Sequence, residues 1–176
     1  MTTAAHDQLE QRFALLDTDG DGHVERAEWD AEGQRIVRAF GETERTPMGS
    51  VVITSYLRMW DYLAAQIGPG TETLSLDQFK QVARDYIANP ADADFNDALR
   101  STMRAIADMC DHDDEGRVTP QGFRSWIKAI GADTSKADET FRRIDVDDDG
   151  TLDLNELADA VRDYHAGALD VSLLGA

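Results

Sequence analysis

Cysteine is nearly missing from this chain: Cys110 stands alone among 176 residues. An intramolecular disulfide framework is therefore excluded, and a reducing cytoplasm is the expected compartment. Basic residues are scarce too, with 17 Lys and Arg against 35 Asp and Glu and a formal charge of −18. A chain so acidic repels polyanions, which makes nucleic acid and anionic membrane surfaces poor partners. Long apolar runs are also lacking, and nothing approaches the roughly 20 residues of a membrane span. The opening Met1-Thr2-Thr3-Ala4-Ala5-His6-Asp7 has neither the basic patch nor the apolar stretch of a secretory signal. What is present, 41% hydrophobic and 30% charged residues, suits a globular chain with a core of its own.

The acidity is concentrated. Two segments, 17–28 and 145–156, share one pattern. Asp17, Asp19 and Asp21 stand at positions 1, 3 and 5 of the first; Asp145, Asp147 and Asp149 stand there in the other. Glycine follows at position 6 (Gly22, Gly150), an aliphatic residue at 8 (Val24, Leu152), an acid at 9 (Glu25, Asp153) and glutamate at 12 (Glu28, Glu156). This is the twelve-residue EF-hand calcium loop. Calcium takes six to eight oxygens at about 2.3–2.6 Å, so a short chain must wrap closely around the ion. Alternate side chains supply oxygens, His23 and Thr151 at position 7 offer backbone carbonyls, and Glu28 and Glu156 close the sphere in bidentate fashion. Glu25 and Asp153 stand where ligation is direct or runs through a water.

Two further copies are unequal to these. In loop 111–122, Asp111, Asp113 and Glu115 occupy positions 1, 3 and 5, but position 12 is Gly122 and position 7 is Arg117. It has lost its bidentate ligand, and Ca2+, Mg2+ or no ion are all open there, since Mg2+ keeps waters and needs no bidentate glutamate. Gly122→Glu is expected to add a calcium site. Loop 67–78 has Ile67, Pro69 and Thr71 at the ligand positions and Gln78 at the end, so no calcium site survives. Position 13 is apolar every time, as Trp29, Phe79, Phe123 and Leu157, which supports the register of all four copies.

Apolar residues three and four apart flank each loop, as in Leu9, Phe13 and Leu16 or Phe95, Leu99, Met103 and Ile106. The expected fold is all-α: four helix-loop-helix units in two packed pairs, with short two-residue β-bridges between paired loops. Val24 should face Leu74, and Val118 should face Leu152. The expected halves are residues 1–89 and 90–176, divided at the helix-breaking Asn89-Pro90. Gly131 with Asp133-Thr134 should stop one helix and cap the next.

Arg12-Phe13 before Asp17-Thr18-Asp19-Gly20, Phe40-Gly41, Asp61-Tyr62-Leu63-Ala64, Met109-Cys110-Asp111 and the tail from Ala160 to Val171 extend the pattern. Over nearly its whole length the chain resembles the sarcoplasmic-type calcium-binding proteins, in their bacterial, calerythrin-like branch. The resemblance implies a cytoplasmic protein whose two EF-hand halves pack together and which buffers or transports calcium, with a signalling role as the alternative. It also implies a working third loop, from which Gly122 departs.

Sensors open a Met-rich groove for a partner, whereas buffers barely move. The five Met residues, at 1, 48, 59, 103 and 109, form no cluster on the exit helices, which favours a buffer. His6, His23, His112 and His165 are isolated, and no catalytic fingerprint is present, so no enzyme is expected. Calcium is the expected partner of a monomer; the sequence identifies no protein partner. Loops 17–28, 111–122 and 145–156 carry net −4, −3 and −6, which leaves −5 for the rest of the chain.

Overall fold

The three- and four-residue apolar spacings become helices, and the acidic segments become the turns between them. A computed structural model describes residues 3–87, 93–111, 116–166 and 169. In chain order the elements are α1 (Thr3–Leu16), β1 (His23–Glu25), α2 (Arg26–Ala39), α3 (Pro47–Ile67), β2 (Thr73–Ser75) and α4 (Leu76–Val82). A single π-helical turn, Ala83–Ile87, extends α4, and α5 (Ala93–Cys110), α6 (Pro120–Ala129), α7 (Ala137–Ile144) and α8 (Leu154–Ala166) follow. The expected break at Asn89-Pro90 lies outside the described residues, as do Asp170 and Val171 of the tail.

Local chemistry sets the helix starts. Thr46 and Thr119 cap α3 and α6 by accepting from the N–H of Gly49 and Gly122, with Pro47 and Pro120 in the first turn. At Gly49 the chain passes so close to Thr43 that a side-chain carbon would lie 2.1 Å from its carbonyl oxygen. One expectation fails here: α7 does not start from a cap at Asp133-Thr134. The Asp133 carboxylate instead accepts from Ser135 N and Oγ, at 2.8 and 2.6 Å. This local Asx turn occupies the capping oxygens, and the helix begins only at Ala137.

The loops pair as the register requires. β1 and β2 run antiparallel with Val24 opposite Leu74, flanked by His23 opposite Ser75 and Glu25 opposite Thr73, so this bridge is a residue longer than expected. In the other pair Val118 and Leu152 exchange both backbone hydrogen bonds at 2.9 Å as an isolated bridge. All four side chains are fully buried. The arrangement fixes the back of each loop in the core and leaves its acidic front at the surface.

A single cluster of buried apolar residues runs through the molecule, from Leu9 and Phe13 on α1 to Leu157 and Tyr164 on α8. α3 packs on α2 and α5, and α1 packs on α8. Trp29, Trp60 and Trp126 are all buried, and the Trp29 ring centroid lies 6.4 Å from that of Trp60. Polar atoms enter this interior as well: Arg12 Nη1 and Nη2 donate to Glu32 Oε2 and Oε1 at 2.8 and 2.6 Å. That ion pair borders a cavity of about 80 Å³ which Trp29, Tyr56, Trp126 and His165 also line. Among the described residues, no helix is long and apolar enough to cross a membrane.

Candidate metal centres

Each of the two full loops brings its first three acids together. One carboxylate oxygen from each of Asp17, Asp19 and Asp21 lies within 4.8 Å of the others, and Asp145, Asp147 and Asp149 form the same triangle. Two oxygens on opposite sides of one calcium ion stand about 4.6–5.2 Å apart, so these triangles fit a shared cation. An all-oxygen donor set is the chemistry a hard divalent ion requires.

The backbone turns hold the acids in place. Asp17 accepts from Gly20 N and Gly22 N at 2.8 and 3.0 Å, and Asp145 accepts from Asp149 N and Gly150 N, both at 3.1 Å. Gly22 and Gly150 both adopt φ near +84°, a left-handed turn that a side chain would strain. At position 4 the turn is again left-handed, through Gly20 in one loop and Asp148 (φ 58°) in the other. Asp is among the few non-glycine residues that tolerate this conformation.

Glu28 and Glu156 stand apart from the triangles and link the two ends of each loop. Glu28 Oε1 accepts from Thr18 N at 2.7 Å and Oε2 from Glu25 N at 3.1 Å. Glu156 repeats this with Val146 N at 2.8 Å and Asp153 N at 2.9 Å. Position 12 is therefore also the third residue of the exit helix, returning a bond to the residue that starts it. Asp153 completes the capping box, its Oδ1 accepting from Asn155 N and Glu156 N at 2.7 and 2.9 Å. Sequence reasoning treated these residues only as ligands; the spacing of a capping box was the signal for the second role.

Both position-7 residues also stand beside position 5. The exposed His23 imidazole lies 3.8 Å from Asp21 Oδ1, and Thr151 Oγ1 donates to Asp149 Oδ1 at 2.7 Å. The hydroxyl and N–H of Thr151, ahead of the charge of Arg117, hold the Asp149 carboxyl below its ordinary range.

The other two loops show what survives without ligands. Ser75 and Gln78 form a capping box in loop 67–78, so the helix start persists where the calcium chemistry has gone. In loop 111–122, Asp113 and Glu115 lie outside the described residues. Asp111 accepts from Gly116 N, the contact seen between positions 1 and 6 of the full loops. Gly122 has no side chain to link the loop ends, and the chain closes directly instead. A carbon built on Gly122 would lie 2.7 Å from the Cys110 carbonyl oxygen and 2.9 Å from Cys110 Cβ. Gly122→Glu therefore meets a steric obstacle that the sequence does not show: α5 must shift before the new carboxylate reaches the loop. Cys110 itself is buried, with its thiol pushed up to about 12 by that burial, as suits a structural cysteine.

Comparison with known proteins places these loops in context. A family model described as EF hand matches residues 9–31 and 137–161, the segments that contain the two full loops. Calerythrin of Saccharopolyspora erythraea is 37% identical over 177 aligned residues, which span 99% of this chain and 100% of that protein. A Streptomyces coelicolor calcium-binding protein shares the fold with a TM-score of 0.78 at 23% identity, over 92% of this chain and 97% of its own. The Mg2+-loaded ctenophore photoprotein apo-berovin, all three of whose Ca2+-binding loops bind magnesium, aligns with a TM-score of 0.67 at 17% identity. That alignment covers 94% of this chain and 88% of berovin.

Proposed function

The chain belongs to the calerythrin family of calcium-binding EF-hand proteins, and we propose that it acts as a cytoplasmic calcium buffer or carrier with two strong sites. The sites are loops 17–28 and 145–156. In this reading Asp17, Asp19, Asp21 and Glu28 supply side-chain oxygens to one ion, with the His23 carbonyl. Asp145, Asp147, Asp149 and Glu156 serve the other, with the Thr151 carbonyl. The observation that carries it is the convergence of three carboxylates within 4.8 Å in both loops. Glu25 and Asp153 stand at position 9, which in EF-hand loops often reaches the ion through a water, and in this reading both act that way. Each half, 1–89 and 90–176, then holds one strong site beside a weakened loop that shapes it. Magnesium is the secondary occupant of the same oxygens, or of loop 111–122. No catalytic step forms part of this reading.

The side-chain distribution supports a buffer over a sensor. Met59, Met103 and Met109 are buried, and the large apolar residues exposed among those described, Met48, Val51 and Val146, make no groove of the kind a partner helix needs. Fluorescence of 8-anilinonaphthalene-1-sulfonate, followed while calcium is added in the presence of magnesium, tests the choice. A buffer leaves the signal nearly unchanged; a large calcium-dependent rise replaces it with a sensor that uncovers apolar surface.

A further inference from the structure

The two full loops differ in one contact that their ligand patterns do not reveal. Arg117 precedes Val118, and the bridge from Val118 to Leu152 lays the backbone of the third loop alongside the fourth. The Arg117 side chain crosses that bridge. Its Nη1 pairs with Asp149 Oδ2 and donates to Thr151 Oγ1 at 3.1 Å. Asp149 stands at position 5, and its other oxygen already accepts from Thr151 N at 2.8 Å. A guanidinium from the neighbouring loop thus rests on a carboxylate of the proposed calcium sphere.

The first loop has no counterpart. The residue at position 7 of its partner loop is Thr73, which is uncharged. Arg26, the cation within loop 17–28, turns away and donates from Nε to Asp61 Oδ1 at 3.1 Å. Among the described residues, no Arg or Lys forms an ion pair with Asp17, Asp19 or Asp21.

We propose that Arg117 is an affinity-setting residue, a built-in cation that competes with a divalent ion for Asp149 and makes loop 145–156 the weaker of the two sites. The inference rests on the reading of loop 145–156 as a calcium site and concerns how that site is tuned. It reverses the order that charge counting gives, because the fourth loop carries net −6 and the first net −4. A divalent ion bound at Asp149 must displace the guanidinium or tolerate its charge a few ångströms away. Both partners are partly exposed, at 44% and 32%, so solvent screens the effect without abolishing it.

Glu28→Gln isolates the fourth site in an otherwise complete chain, and calorimetric titration with calcium at low ionic strength reads its affinity. Adding Arg117→Gln should tighten that site by roughly tenfold, with the gain shrinking as salt is raised. Arg117→Lys keeps the charge and should stay near the parent. Unchanged or weaker binding in Arg117→Gln overturns the proposal while leaving the site itself standing. If the Glu28→Gln chain takes up no calcium, the reading of loop 145–156 fails and the proposal falls with it.

Discussion

Calcium added to the chelated protein is expected to raise its melting temperature by roughly 10–20 °C. An ion that binds only the folded state stabilises it by about 2.7 kcal/mol when its free concentration is a hundredfold over Kd. Two such sites give about 5 kcal/mol, and each kcal/mol moves the midpoint by roughly 2–4 °C in a chain of this size. The source is the concentrated charge: net −4 and −6 in two twelve-residue loops, with three carboxylates of each held within 4.8 Å. Without a cation those oxygens repel one another, and the backbone N–H groups that hold Asp17 and Asp145 offset only part of the repulsion. Melting curves followed by circular dichroism, in excess EDTA and in calcium, read the difference. A midpoint that ignores the chelator contradicts calcium binding by the folded chain.

The second large effect lies far from the loops. Arg12→Leu should destabilise the protein by about 3–5 kcal/mol, because it strands the Glu32 carboxylate in the core. Glu32 is fully buried, and Arg12 meets it with two parallel hydrogen bonds. The nearest other cation, Arg35 Nη2, stands 3.7 Å from Glu32 Oε2 and cannot reproduce that fork. Burial works against the Arg12 charge, but the charge and hydrogen bonds of Glu32 outweigh it and raise Arg12 further above its ordinary range. In the native chain His165 is lowered to about 4, chiefly by its own burial and also by the charge of Arg12, so Arg12 is left to balance Glu32. Exchanging both partners for leucine removes the stranded charge, so the double variant should recover much of the loss. Urea denaturation of the native chain and the two variants in one calcium buffer measures this. A cost below about 1 kcal/mol for Arg12→Leu would show that water or a rearranged side chain satisfies Glu32.

These features differ in how far the sequence discloses them. The EF-hand loops were legible because their ligand spacing is local: twelve consecutive residues carry the whole pattern. Pairing was legible for a similar reason, since position 8 fixes which residues meet, and Val24–Leu74 and Val118–Leu152 do meet. The all-α fold followed from helical spacing. Contacts that depend on the placement of distant elements were not readable in this way. The pair of Arg12 and Glu32 needs the crossing of α1 and α2, and Arg117 reaches Asp149 only across the bridge between two loops. Gly122 read as a lost ligand, whereas the structure shows that Cys110 has taken the space a side chain would need. The position-12 glutamates were seen as metal ligands but not as helix caps, although their spacing from position 9 carries both signals.

The central claim is that loops 17–28 and 145–156 each hold one calcium ion through their position-12 glutamates. Calorimetric titration of the native chain beside Glu28→Gln and Glu156→Gln tests it most directly. The account predicts two tightly bound ions for the native chain and one for each variant. Three comparable ions in the native chain, or two retained by either variant, would contradict it.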